Sequence, residues 1–244
     1  MSSEVVCEVD ARRASLTLNR PEKLNALNVA LVAALETQAR LVSGLADVDV
    51  VLVRGAGRSF CAGLDLDMFA ADGMSPEFYR RQEGGFRVLE VMDKTVIAAI
   101  HGHCLGGGVQ LAAACDVRVA SSDAVLGLPA IDEGLFPGMA PYRLPRLIGK
   151  GRAASLILSG RRLSAQDAYA IGLVDVTSPR ERRLGAGRAT GSAAPPRVRG
   201  ARCSRRSTGR SRRSAPGTSG VVEAVAGRPR ASRARAERGS TARG

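Results

Sequence analysis

The chain has 244 residues and a formal net charge of +13, long enough for one large or two small domains with a buried core. That charge is unevenly placed: residues 178–244 hold 18 Arg, no Lys and only three acids, Glu181, Glu223 and Glu237, which leaves residues 1–177 at −2. A nearly neutral body argues against a polyanion-binding domain, and no basic, apolar, small-residue leader or long apolar span points to secretion or a membrane; a cytoplasmic body is expected.

In chain order, Val5–Val9 and Ala14–Leu18 are short β-rich runs broken by Asp10 and two arginines, predicting a hairpin. Leu27, Leu31, Leu35, Val42 and Leu45 recur near the helical period, with Gln38 as a polar break. Val50–Val53 is a fully apolar strand, of the kind covered on both faces. Ser75 and Pro76 supply an N-cap and a first helical position for a helix to about Met92. Val96–Ile100 is another buried strand, followed by three glycines and a helix from near Val109; Val117–Ala120 returns to strand. Ser164 with Asp167 forms a capping pattern, and Gly172 closes that helix. Strands alternating with helices make the body α/β.

After Thr177 no period persists, and Arg, Gly, Ser, Ala and Pro dominate, so residues 178–244 are expected to be disordered. An Arg-rich arm that binds nucleic-acid phosphate is one reading. A shifted reading frame in a GC-rich gene is the other, and it better fits the missing Lys and aromatic residues. Cys7, Cys61, Cys104, Cys115 and Cys203 form no CxxC pair, and no His cluster has ligand spacing. Reduced thiols are expected, and no metal centre.

Two glycine sites stand where chemistry can occur. In RGAGRSFCAGLDLDMF (residues 54–69) a buried strand runs into Gly55, Gly57 and Gly63. In HGHCLGGGVQLAAACD (residues 101–116), Gly106, Gly107 and Gly108 lie between strand and helix. Glycine lets a ligand approach the backbone, and a helix N-terminus offers unpaired N–H groups. Together they suit an anion, or an oxygen that becomes anionic during reaction. A phosphate loop is excluded, because no Lys-Ser or Lys-Thr follows and no GxGxxG spacing occurs. His101 and His103 flank Gly102 and read as structural hydrogen-bonders.

From Val5 to Val176 the chain resembles the crotonase superfamily, the enoyl-CoA hydratase/isomerase family. The resemblance is carried by LNRPEKLNAL (18–27), SFCAGLDL (59–66), KTVIAAIHGHCLGGGVQLAAACDVRVA (94–120), LGLPAIDEGLFPG (126–138), LPRLIG (144–149) and LSAQDAYAIGLVD (163–175). It implies a crotonase-like spiral of ββα units, with an acyl-CoA-binding core over residues 1–177 and the Arg-rich tail standing where C-terminal helices usually follow. It implies an acyl-CoA substrate with coenzyme A as part of the thioester, no tightly bound cofactor, and lyase or isomerase chemistry. The two oxyanion-hole donors fall on the backbone N–H of Leu64 and Gly107, and CoA contacts on Ala26, Leu27, Ala62 and Asp65. Asp65 also suits a local backbone cap. The two hydratase glutamates are replaced by Gln110 and Ala130, and an isomerase-type acid position falls on Gly138. An amide cannot take a proton from water, so two-glutamate hydration is not expected. Asp132 and Glu133 are the only carboxylates close by in sequence: one of them is a candidate acid or base facing the acyl chain, and a solvated pair on a loop is the alternative reading. A homo-trimer or dimer of trimers is implied, and a tail without amphipathic pattern predicts that assembly is weak.

Overall fold

A computed structural model describes residues 3–73 and 75–179. The readings of residues 180–244 as a disordered, frame-shifted or nucleic-acid-binding tail, and of Cys203, lie outside the described residues.

The expected hairpin is present: β1 (Val5–Asp10) pairs antiparallel with β2 (Arg13–Leu18). Leu16 and Leu18 of β2 are fully buried. A 3-10 turn at Pro21–Lys23 leads to α1 (Val29–Ser43), capped by Asn28, whose side chain accepts from the Leu31 N–H at 2.8 Å. The helix is shorter than the apolar period suggests. Leu27 precedes it in extended backbone paired with Leu64, and Leu45 follows it, 39% exposed.

β3 (Val50–Gly55) joins β2 in parallel and is buried through Val53, as its uninterrupted apolar run requires. It is followed by α2 (Leu66–Asp72) and α3 (Pro76–Val91), the latter capped by Ser75 Oγ accepting from the Phe78 N–H at 3.2 Å. β4 (Thr95–Ile100) continues the parallel sheet. A three-residue strand, β5 (His103–Leu105), then precedes α4 (Gly107–Ala113), so the helix begins two residues earlier than expected.

β6 (Val117–Ser121) and β7 (Val125–Gly127) lead through a 3-10 turn at Pro129–Ile131 to α5 (Ala140–Ile148) and α6 (Lys150–Ser159). β8 (Arg162–Ser164), α7 (Ala165–Ala170) and β9 (Val176–Ser178) close the described chain. Ser164 caps α7 as expected, accepting from the Asp167 N–H. The six-stranded sheet runs β1-β2-β3-β4-β6-β9, and a smaller sheet runs β5-β7-β8. No helix among the described residues is long and apolar enough to cross a membrane.

One buried polar knot fixes the loops at the ends of β2 and β3. Asn25 is fully buried with φ 57°; its side chain accepts from the Arg20 N–H at 2.9 Å and donates to Ala56 O and Ser59 O at 2.9 and 2.8 Å. Arg20 donates to Ala26 O at 2.7 Å and to the Asp65 carboxylate at 2.9 Å. Asp65 also caps α2 through the Met68 N–H. Burial alone would raise its carboxyl, but hydrogen bonds from Arg20 and Met68 and the charges of Arg20 and Lys23 outweigh it and hold the group below its ordinary value.

Two outcomes follow from this knot. Asn25→Ala strands two backbone carbonyls and leaves alanine in a left-handed conformation, and should cost about 3 kcal/mol or more in urea unfolding. Because the Asp65 pKa is depressed by folding, its stabilisation is present above the unfolded value and lost as pH falls through the folded one. Asp65→Asn should therefore lose about 1–3 kcal/mol at pH 7, with the gap to the parent narrowing below about pH 4.

Candidate active site

The site is built first from backbone. Cys61 pairs in parallel with Cys104: its N–H donates to His103 O at 3.0 Å, and its carbonyl accepts from the Leu105 N–H at 3.0 Å. Two residues on, the Leu27 N–H donates to Gly63 O at 2.6 Å and the Asp65 N–H to Leu27 O at 3.0 Å. Parallel pairing of this kind uses the carbonyl before Leu64 and the N–H after it, so the N–H of Leu64 itself turns to the opposite edge. It makes no hydrogen bond among the described residues.

The partner segment supplies a second such donor. The Gly106 N–H is engaged with Gly127 O at 2.9 Å, and Gly106 O accepts from the Gln110 N–H at 3.3 Å. The Gly107 N–H lies in the first turn of α4, where no intrahelical acceptor exists, and it too has no partner among the described residues. Gly63 brings the two segments together. It sits at φ 98°, and a Cβ there would lie 2.8 Å from Leu105 O and 3.4 Å from the Gly107 nitrogen. Any side chain would push the donors apart.

Leu64 and Gly107 line a cavity of about 100 Å³ together with Gln110, Ala130 and Glu133. Gln110 is 5% exposed, and its Oε1 accepts from the Met139 N–H at 2.9 Å. That bond takes one lone pair of Oε1; the Nε2 group can only donate, so the amide offers no group that accepts a proton at neutral pH. Gly138 makes room for this amide: it has φ 54°, and a Cβ there would lie 3.0 Å from both Gln110 amide atoms.

Ala130 is half-buried on the 3-10 turn and offers no polar group. Asp132 is exposed, absent from the lining, and close to Gly160, where a Cβ would lie 2.9 Å from its Oδ2. Glu133 is the only carboxylate among the described lining residues. Burial, and secondarily the charge of Asp132, push its carboxyl above the ordinary value, against a weaker pull from Arg162.

The other sequence candidates separate cleanly. Ala62 lines the cavity, while its N–H is engaged with Leu24 O at 3.0 Å. Ala26 and Leu27 lie on the adjoining turn, with Ala26 O taken by Arg20 and both polar groups of Leu27 taken by Gly63 and Asp65. The Asp65 carboxylate is occupied by Arg20 and the α2 cap. Neither histidine lines the cavity: His101 Nε2 is 3.2 Å from Gly57 O, and His103 Nδ1 is 3.3 Å from Ser59 Oγ. Cys61, Cys104 and Cys115 are buried, and burial pushes the Cys61 and Cys115 thiols up to about 12. They are neutral core residues rather than nucleophiles.

Sequence reasoning missed the wall formed by α3. Phe78, Gln82, Phe86 and Leu89 form its buried stripe, and Gln82 is a polar residue inside that stripe and on the cavity lining, beside Tyr79. A polar break in a 3.6-residue period was the available signal. Arg143 of α5, 5% exposed, ties this wall to α5. It donates to Glu90 at 2.6 Å and to Glu83 at 2.8 and 3.2 Å, with its guanidinium 5.5 Å from the Phe86 ring centre.

Comparison with known proteins places the chain in a family. A family model described as Enoyl-CoA hydratase/isomerase matches residues 9–190. A short-chain-enoyl-CoA hydratase of Clostridium acetobutylicum is 38% identical over 73% of this chain and 70% of its own length. A crotonyl-CoA hydratase of Syntrophomonas wolfei is 36% identical over 72% and 70%. The crystal structure of an enoyl-CoA hydratase from Bacillus anthracis superposes with a TM-score of 0.68 at 38% identity, covering 72% of this chain and 70% of that one. The chain spans about two thirds to three quarters of the length of the curated relatives it matches. These likenesses favour an enoyl-CoA hydratase/isomerase-like reading over a nucleic-acid-binding one. With the crotonase-like α/β fold shared as well as the sequence, the chain belongs to the enoyl-CoA hydratase/isomerase family.

Proposed function

We propose that this chain binds an acyl-CoA thioester with the carbonyl oxygen against the N–H groups of Leu64 and Gly107, and that these hold the enolate formed when a proton leaves Cα. The observation that carries this reading is the pair of unengaged backbone donors on one cavity, brought together by Gly63. A fixed donor aimed at a developing oxyanion is worth roughly 2.7–4 kcal/mol of transition-state stabilisation. The turns at Ala26, Leu27, Ala62 and Asp65 would receive the CoA portion, with Asp65 acting through the architecture it holds rather than through a free carboxylate.

The chemistry departs from two-carboxylate hydration. Gln110 presents a donor and Ala130 nothing, so addition of water across a double bond lacks its paired acid and base. Glu133 is the carboxylate available: its oxygen takes the Cα proton, the C–H electron pair moves into the C–C bond and onto the thioester oxygen, and the proton returns to Cα or to Cγ. This balances as proton exchange or a double-bond shift without any further reactant. Asp132, outside the lining, takes no part. A second reading, an acyl-CoA-binding homologue with little turnover, is favoured by the Gln110 amide being fastened to the Met139 N–H.

Incubation with enoyl-, 3-hydroxyacyl- and malonyl-type CoA thioesters, followed by product mass and by exchange of Cα hydrogen for deuterium, separates the two. Exchange or isomerisation supports the first reading. Measurable binding without either supports the second, and no binding of any thioester counts against both. Glu133→Gln should lower kcat for exchange by about 10² to 10⁴-fold. Because the Glu133 carboxyl is raised and must be ionised to act as base, the parent rate should climb with pH through a value above that of an ordinary glutamate, and the variant should lack that limb. Assembly belongs to the same proposal: a homo-trimer, weakened by the Arg-rich segment, for which light scattering at three times the chain mass only at high concentration is the expected result.

A further inference from the structure

We infer that Arg20 is a positioning residue for the oxyanion donor on Leu64, to which it is joined by a line of two hydrogen-bonded peptide groups. The inference rests on the acyl-CoA reading above, and it concerns the side of that donor turned away from the cavity.

The line begins at the guanidinium. Arg20 Nη1 donates to Ala26 O at 2.7 Å. That carbonyl belongs to the same peptide group as the Leu27 N–H, which donates to Gly63 O at 2.6 Å. The Gly63 carbonyl in turn shares a peptide group with the Leu64 N–H, which meets no acceptor among the described residues and belongs to a residue of the cavity lining. A trans peptide sets its C=O and N–H on opposite edges of one plane, and no described peptide bond is cis. The two peptide groups therefore stand end to end, with a guanidinium behind them and the cavity in front.

Two physical effects follow from this arrangement. Each peptide plane is gripped at its carbonyl, so the Leu64 N–H turns from the cavity only if the bond to Leu27 breaks, and the Leu27 plane turns only if the bond to Arg20 breaks. A hydrogen bond from a charged donor is also stronger than one from a neutral donor, and bonds in series polarise one another. The guanidinium keeps its protons at every working pH, so this support is permanent. Its charge is balanced on both sides: Asp65 shares Nη1 at 2.9 Å, and Glu4 Oε2, a buried oxygen with no hydrogen bond among the described residues, lies 3.5 Å from Nε. Capping α2 and pairing with Asp65 do not by themselves require the bond to Ala26 O, which is the one that leads to Leu64. The Gly107 donor is supported differently, since its peptide carbonyl, Gly106 O, accepts the neutral Gln110 N–H at 3.3 Å.

The test uses the full chain and butyryl-CoA with an isotopic label at the thioester carbonyl carbon, whose stretching band is read in the bound state by infrared difference spectroscopy. Bound to the parent, the band should lie at lower frequency than in water, because fixed donors face the oxygen. Arg20→Met keeps most of the stem and removes the guanidinium, and the downshift should shrink by about half, since one donor of the pair loses its support. The Kd for butyryl-CoA should rise by less than about tenfold, which shows that the variant is folded. Arg118→Met is the control: Arg118 is also buried, donates to Cys115 O at 2.9 Å and pairs with Asp175 at 2.6 Å, and none of these partners belongs to the line. It should keep the full downshift. Should Arg20→Met fail to fold because Asp65 is left unpaired, Arg20→Met combined with Asp65→Asn, which buries no lone carboxylate, should show the same loss. A full downshift in the Arg20 variant overturns the inference, and an equal loss in Arg118→Met overturns it too, by tracing the effect to general destabilisation. Both results leave the acyl-CoA reading standing. Binding to the parent without a downshift overturns the placement of the carbonyl on these donors, and absence of binding overturns the acyl-CoA reading itself, each taking this inference with it.

Discussion

The site depends on the contact of two backbone segments with no side chain between them. Gly63 lies against Leu105 O and the Gly107 nitrogen at separations that exclude a Cβ. The pairing of Leu27 with the segment around Leu64 then takes Gly63 O and the Asp65 N–H and leaves the Leu64 N–H without a partner among the described residues. A close contact made of main chain has little freedom to drift, because its geometry is set by hydrogen bonds on both sides. The loops are held from behind by Arg20 and Asn25, five residues apart, and by Asp65 from a distant segment, which meet in a buried polar network. Such a network rigidifies only when its members are satisfied, as these are.

Around that fixed centre, the side-chain chemistry is unusually sparse in charge. Two amides, a phenol and one carboxylate line the cavity, and the titratable cysteines near it are buried and neutral. The neighbouring charged residues are spent on architecture: Arg143 with Glu83 and Glu90 clamps α5 to α3, and Arg118 with Asp175 ties β6 to the segment before β9. In the proposed reaction proton transfer would rest on Glu133, which lies on an exposed turn outside the sheet.

Much of the fold was legible in the sequence because the sheet and its helices are written in long apolar runs and simple caps. β3 and β4 fall on apolar runs, β2 on an alternating run and β6 on an apolar run broken by Arg118, and α3 and α7 start at Ser caps visible by type and spacing. The strands that escaped notice, β5, β7, β8 and β9, are three residues each and are defined by partners from distant segments, a signal that no local period carries. Leu27 and Leu45 fit the helical period by coincidence. The cap at Asn28 starts the helix after the first of them, and the chain turns at Gly44 before the second. The turns bearing Leu64, Gly107, Gln110 and Glu133 were found through glycine patterns and resemblance. Gln82 and Asn25 were not, because their importance lies in burial, which side-chain type alone does not reveal.

The bond between Gln110 and the Met139 N–H has an implication for how this scaffold relates form to chemistry. A main-chain N–H is satisfied equally well by the oxygen of an amide or of a carboxylate, two groups with the same outline. The bond that secures α4 to the turn before α5 is thus indifferent to whether the residue there can carry a proton. Exchange of one planar group for the other leaves the architecture unchanged and alters what the cavity can do with a hydrogen ion. A carboxylate at this 5%-exposed position would keep the bond but bring the desolvation cost of a buried charge, so the amide holds the same architecture without that penalty and without the proton chemistry.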